Sequence, residues 1–463
     1  MPRFVATLCV VLTLLSAPEA FAGPPPRNEG PEAPPIQPEP AVIPEAIATT
    51  SDSQDGPLAP ISWATDARGT VTLPEVLDHA NDNAPALMIV RGRQAIGEAD
   101  LEAASPIFIQ DPFLWAALGG RLTPNERTTF EMQAQIYQQV EIAGERRLRI
   151  KAAKRLIDFT QADVDRVAWE VEVRVREAFR EAVVARLKLD TARKQREFND
   201  HMLELVERQL EQGDISALDY RLAEVQAMQA KQLEIAAEND YVVACRKVTV
   251  LAGWQDEFEP KGALEPTRGV SPDADLLAVA EQQQKQLLLL DKQVERAEAV
   301  HKLAKRNIVP EPQLGLYYGR EVDPFAKVGM NVVMGTIAFS IPTFQRNRRE
   351  VAYAKAELNV AKTERDGFAA QLPGRIEAAE ARVNASHEQV ALYQESIVPN
   401  LESNVELLQK GYDFGELTVF EASIARERFF SVQQSVLDAH ADYYRALADL
   451  ESALGSSPFP TQP

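Results

Sequence analysis

Hydrophobic and polar residues follow two different periods along this chain. In TTFEMQAQIYQQVEI, residues 128–142, Phe130, Met132, Ala134, Ile136, Val140 and Ile142 share one parity, and Glu131, Gln133, Gln135, Tyr137, Gln139 and Glu141 the other. A period of two predicts a strand with one apolar and one polar face. Further strands are predicted at about 106–119, 309–320 and 327–341. In the last, Val328, Met330, Val332 and Met334 share a parity, whereas Ile337, Phe339 and Ile341 take the other, so a bulge is expected at Gly335. Phe108, Phe113, Trp115, Tyr317 and Tyr318 are candidates for interfacial aromatic belts.

Elsewhere the period is helical. Val175, Ala178, Ala182, Ala185, Leu189 and Ala192 step by three and four, the seam of a coiled coil. Helices are predicted at about 72–104, 145–211, 216–252, 273–306, 345–410 and 416–454. The stretch 145–211 would extend roughly 100 Å. Pro373 and Pro399 are expected to kink the second long helix; their counterparts in the first, Val171 and Glu197, carry no proline.

The pattern occurs twice. GDISALD begins at Gly213 and GELTVFE at Gly415, an offset of 202. The same offset carries Glu145-Arg146-Arg147 onto Asn347-Arg348-Arg349, and Asp219 onto Glu421. A structural duplication explains this alignment. The chain therefore divides into a signal peptide (1–22), a Pro-rich tether (23–66), a first repeat (67–255), a linker (256–272), a second repeat (273–454) and a tail (455–463).

Composition narrows the setting. MPRFVATLCVVLTLLSAPEAFAG has the order of a secretory signal, with Ala20-Phe21-Ala22 as the cleavage site. Cys9 leaves with it, so Cys245 has no disulfide partner in the mature chain. No cysteine follows the cleavage site, and no lipid anchor is read there. A net charge of −20 provides no basic face for nucleic acid. No apolar run beyond the signal is long enough for a spanning helix, leaving a periplasmic protein or an outer-membrane barrel. Four strands cannot close a barrel, and open edges are excluded in lipid. Several copies would have to share one cylinder: two would give eight strands with a filled interior, three would give twelve and a lumen. The polar parity would then face water and the apolar parity lipid. The competing expectation is a soluble periplasmic coiled-coil adaptor.

The order helix, strand pair, long helix, glycine turn and helix, present twice, resembles the TolC-like outer-membrane factors. TLPEVLDHANDNAPAL, VEIAGERRLR, EQGDISALD, GYDFGELTVFEA and IPTFQRNRREVAYAKAEL carry the resemblance, which covers about residues 70–454. The junction Glu141 to Arg147 is most similar to the heavy-metal cation efflux branch, although the branch's usual second Gly and Lys stand here as Glu145 and Arg146. The resemblance implies a mainly α protein with a small β part. It implies a homotrimer with a twelve-stranded outer-membrane barrel, surrounded by outer-membrane lipid and continuous with a periplasmic helical tunnel. It also implies a duct that receives metal cations, or alternatively drugs or secreted proteins, from a periplasmic adaptor and an inner-membrane transporter of the RND type.

No catalytic constellation or cofactor motif is present, so no enzyme is read. His79, His201, His301, His387 and His440 lack ligand spacing. The candidate functional residues cluster at the two glycine turns. Asp219 and Glu421, with Asp214, would form an acidic ring that attracts cations and raises its own pKa values by repulsion. The plainer expectation is that each acid stabilises its own helix start. Tyr412 matches the family's tip tyrosine, and the basic latch partner falls on Leu417, leaving Arg208, Lys410 or Arg221 as substitutes. Gly213, Gly411 and Gly415 would shape the turns, with Ser216 and Thr418 as N-caps, where an adaptor would dock.

Overall fold

The computed structural model describes residues 69–121, 129–213, 215–255, 258–271, 275–322, 328–344, 346–399 and 419–459. The expected signal, tether and end of the tail lie outside these residues. In order, the elements are β1 (Gly69–Val71), α1 (Leu73–Asn83), α2 (Pro85–Ala104), β2 (Phe113–Arg121), β3 (Thr129–Gln139), α3 (Glu145–Gln212), α4 (Ala217–Ala252), β4 (Phe258–Pro260), α5 (Leu276–Gln283), α6 (Lys285–Arg306), β5 (Gln313–Val322), β6 (Gly329–Ala338), α7 (Arg348–Leu392) and α8 (Val419–Leu454). The duplication is visible in the bounds: α4 and α8 differ by 202 residues at both ends.

The long helix α3 exchanges neighbours along its length. Near the sheet it lies between α2, through Gln94 and Gln161, and α6, through Arg155 and Glu295. Farther on, Arg196 reaches Glu234 of α4 and Lys188 reaches Asp438 of α8. The whole Val175–Ala192 seam is buried, as its spacing predicts. At the exchange, Arg176 pairs with Glu451 of α8 at 2.8 Å, and both residues are buried. Two apolar cores sit at this level. One joins α1, α3 and α4; the other joins α5, α7 and α8.

Each repeat's first helix, expected as one piece, is two. α1 ends and α2 begins around Ala84-Pro85, where proline disfavours helix in the residue before it. α5 and α6 break at Gln284, whose side chain accepts from the Gln286 N–H at 2.6 Å. Each break receives a left-handed glycine from the end of the last helix of its repeat. A Cβ on Gly253 (φ 68°) would lie 2.3 Å from the Asn83 carbonyl oxygen, and one on Gly455 (φ 74°) would lie 2.5 Å from that of Gln283. The sequence pattern did not reveal this contact, nor the parallel pairing of β1 with β4.

The strands are shorter than expected at the helical side. Pro112 and Pro312 immediately precede β2 and β5, positions where a missing N–H limits a ladder. Pro373 is carried inside α7 without interrupting it. The departure from α geometry falls instead at a π turn, Tyr393–Ile397, just before Pro399. The wider turn accommodates a proline ring that would otherwise press on the carbonyl four residues back. The expected end of this helix, 400–410, lies outside the described residues.

A compact junction joins sheet to helices. Gly144, left-handed at φ 79°, turns the chain from β3 into α3. Buried Glu145 accepts the Ala143 N–H at 2.8 Å. Arg146 donates to the Ser105 carbonyl at 2.8 and 3.0 Å; Arg149 donates to the Ala104 and Pro106 carbonyls, both at 3.1 Å, and pairs with half-buried Glu141. The end of α2 is thus held against the start of α3. In the second repeat Arg346 (φ 41°) and Asn347 (φ 49°) make the equivalent turn without glycine, and Asn347 donates to the Ala304 carbonyl at 3.1 Å.

Two stability outcomes follow. Gly253→Ala should cost about 2 kcal/mol or more, through left-handed strain and the backbone clash, whereas Gly213→Ala, with nothing near its Cβ, should cost about 1 kcal/mol. Equal shifts in thermal unfolding would contradict this. Arg149→Met strands the Glu141 carboxylate and should cost about 3 kcal/mol; adding Glu141→Leu should restore about half. No recovery in the double variant would show that the carbonyl contacts of Arg149 carry the effect.

Candidate functional site

The four strands β2-β3-β5-β6 form one antiparallel sheet, and its central pairing, β3 with β5, joins the two repeats. Register assigns the faces, because directly paired residues share a side. Leu114 pairs with Ile136, which pairs with Leu316; Leu118 pairs with Met132; Leu314 pairs with Ile337 and Tyr318 with Val333. Leu114, Leu118, Phe130, Ile136, Leu314, Leu316, Val333 and Ile337 are all exposed, and none belongs to either core. A sheet with eight large apolar side chains on one face and no cover for them requires an apolar surrounding.

The opposite face carries Gln133, Gln135, Tyr137, Gln139, Gln313, Tyr317 and Thr336. Gln135 donates to Thr336 Oγ1 at 3.0 Å. Gly315 leaves the room: a Cβ there would be 2.5 Å from Thr336 Oγ1 and 2.9 Å from the Ile136 carbonyl oxygen. Gln139 donates to Glu311 at 2.5 Å at the rim near the helices.

Two expectations about this sheet are corrected. The β5–β6 register runs unbroken from Gln313↔Ala338 to Val322↔Gly329, so there is no bulge at Gly335. Met330, Val332 and Met334 therefore lie on the polar face beside Thr336. The parity change reflects a mixed face, not a backbone irregularity. Likewise Phe113, Trp115 and Tyr317 pair with Tyr137 and Gln135 on the polar face, and Phe113 stacks on Tyr137 at 6.3 Å. Of the proposed belt aromatics on the strands, Tyr318 alone falls on the apolar face.

At the far end of α3 the first turn is well defined. Gly213 is left-handed (φ 80°), and its N–H returns to the Gln209 and Leu210 carbonyls. Ser216 caps α4. Its Oγ accepts the Asp219 N–H at 3.3 Å and donates to Asp219 Oδ2 at 2.8 Å, while the Ser216 N–H donates to the same oxygen at 3.2 Å. Asp219 is exposed and through this capping box starts α4; Glu421, also exposed, occupies the first turn of α8. Arg221 pairs with Glu224 at 2.7 Å, and Arg208 returns to the Glu204 carbonyl of its own helix. Asp214, Lys410, Gly411, Tyr412, Gly415, Leu417 and Thr418 lie outside the described residues.

The histidines sit apart. His79 lies tilted against Trp254, with ring centres 4.5 Å apart, His387 bonds Thr267 at 2.9 Å, and buried His440 meets Gln394 of the π turn at 3.1 Å. Burial holds His440 below the ordinary imidazole range. Tyr443 and Tyr444 hold the connection after β4: Tyr444 donates to the Glu265 carbonyl at 3.2 Å, and burial pushes its phenol up to about 12.

Comparison with known proteins gives these features a context. The chain is 22% identical over 402 residues to the cobalt-zinc-cadmium resistance protein CzcC of Cupriavidus metallidurans, covering 81% of this chain and 94% of that one. Its fold is similar to a membrane protein from Pseudomonas aeruginosa (TM-score 0.69, 16% identity, covering 83% of this chain and 92% of that one). It is also similar to the Campylobacter jejuni CmeC outer membrane channel (TM-score 0.68, 14% identity, 85% and 90%). Residues 114–253 and 276–456, which span both repeats, match the outer membrane efflux protein family, and the chain belongs to that family, located in the outer membrane and extending into the periplasm.

Proposed function

We propose that three copies of this chain close a twelve-stranded barrel and a helical tunnel, a passive gated duct for metal cations. The observation that carries this reading is the sheet with an exposed apolar face and two edges, β2 and β6, that have no partner among the described residues. Edge-to-edge pairing between copies satisfies both strands and turns the Gln-rich face inward. Three copies leave a lumen where two would fill it with side chains. The likeness to a cobalt-zinc-cadmium resistance protein favours metal cations over drugs or secreted proteins as cargo. A periplasmic adaptor and an inner-membrane transporter of the RND type would supply the cargo. Conduction needs a shaped, charged lining and no nucleophile, so the chain itself is not an enzyme in this reading. Residues 1–22 would be removed on export, and residues 23–66 would tether the mature start.

The duct narrows, in this proposal, at the turns. Gly213 and Gly415 shape them, with Gly411, Ser216 and Thr418, and the adaptor grips them there. Asp219 and Glu421, with Asp214, form the acidic constriction, and Tyr412 latches neighbouring helices. The capping box occupies one oxygen of Asp219 and leaves the charge in place, so capping and ring formation are compatible.

Recovery from outer-membrane fractions as an SDS-resistant trimer is expected; a monodisperse single subunit in detergent-free buffer would overturn the assembly. In planar bilayers, Asp219→Ala with Glu421→Ala should reduce cation preference, while Ser216→Ala, which removes the cap but no charge, should leave it unchanged. Unaltered reversal potentials in the double variant would remove the acidic ring.

A further inference from the structure

We propose that the junction between sheet and helices is a cationic collar that binds the headgroups of anionic phospholipids in the periplasmic leaflet of the outer membrane. This rests on the outer-membrane reading above and adds the class of lipid that the protein contacts.

The collar assembles from three separate stretches. Residues 146–154 carry five basic residues and no acid, residues 302–306 carry three and no acid, and residues 346–349 carry three and no acid, in a chain of net charge −20. The fold brings these stretches to one level. Arg306 donates to the Ala143 carbonyl, Asn347 to that of Ala304, and Arg146 to that of Ser105. The start of α3, the end of α6 and the start of α7 therefore meet directly beneath the strands. Two of these helices present their positive N-terminal ends here.

Six of the eleven basic residues in these stretches are unmatched. Arg147, Lys151, Lys154, Lys305, Arg348 and Arg349 are exposed and make no ion pair among the described residues. Farther along the same helices several basic residues are neutralised: Arg155 by Glu295, Arg174 by Glu170, Arg196 by Glu234 and Arg365 by Asp291. Six unpaired cations gathered at one level, in a protein of net charge −20, call for an anionic neighbour there.

The adjoining surface identifies that neighbour. Ile337 on the apolar face is followed by exposed Phe339, Ile341 and Phe344, and then by Arg346, Arg348 and Arg349. Ile107, Phe108 and Ile109 are exposed on the approach to β2. An apolar band that ends in a row of cations matches acyl chains that end in a phosphate. A soluble anion would explain the charge but not the continuity with the apolar band.

Native mass spectrometry of the detergent-solubilised full-length trimer, titrated with phosphatidylglycerol or phosphatidylcholine, tests the assignment. Phosphatidylglycerol should bind ~10-fold more tightly or better, and raising salt from 0.1 to 1 M should erase the preference. Inorganic phosphate at the same concentration should not displace the lipid. Replacing Arg147, Lys151, Lys154, Lys305, Arg348 and Arg349 by Gln should abolish the preference while leaving an SDS-resistant trimer. Equal binding of the two lipids by the unaltered protein would overturn the proposal without need of a variant. So would displacement by inorganic phosphate, or a variant that keeps its preference. A variant that keeps its lipid preference but shifts the reversal potential in bilayers would place these cations along the duct instead. Failure to recover any trimer from membranes would count against the assembly itself.

Discussion

A peptide group that leaves water must find another hydrogen-bond partner, and the sheet is arranged around that requirement. In β3 and β5 the ladders are complete on both sides. In β2 and β6 they are complete on one. The same four strands expose a continuous apolar face, so water is the wrong surrounding and lipid is intolerant of the open edges. Pairing with further copies of the chain meets both demands. The helices face no such constraint: each repeat has its own apolar core, and the long helix is bonded along its own axis. In the proposed assembly a self-sufficient helical body carries a sheet that is completed only by its copies.

The two repeats solve the same problems with different residues. Where the chain turns from strand to helix, the first uses a left-handed glycine, half-buried Glu141 and buried Glu145, whereas the second uses Arg346 and Asn347 in the left-handed region. Where the first long helix continues without interruption, the second changes to a π turn before Pro399. Conserved backbone geometry with divergent chemistry produces two kinds of wall segment from one architecture. The glycine that closes each repeat is the exception: Gly253 and Gly455 occupy the same tight place against the same helix break, because no other side chain fits there.

Much of this was legible before the structure. The seam at Val175–Ala192 and the period-two strand, found at Thr129–Gln139, depend on local spacing and are observed; the 202-residue offset recurs in α4 and α8, whereas β2 and β5, like β3 and β6, start 200 residues apart. What the sequence concealed depends on partners far away. The break at Gln284 has no proline, and only the approach of Gly455 gives it a reason. β1 and β4 are three residues each, too short to show a period. The parity change in β6 looked like a bulge because apolar residues stand on a face whose other members are glutamines; only the β5 register reveals it. The capping role of Asp219 was written in Ser216-x-x-Asp219, whereas the far turn lies outside the described residues.

The pairing of β3 with β5 sets an order of events. Gln139 aligns with Gln313, so the centre of the sheet joins residues made far apart in time. As the chain crosses the inner membrane, the first hairpin emerges with one side unclaimed. It waits until α3, α4, α5 and α6 have followed before its neighbour appears. Loop closure over such a separation is slow. The apolar hairpin therefore keeps one side unpaired until the strands of the second repeat have been made.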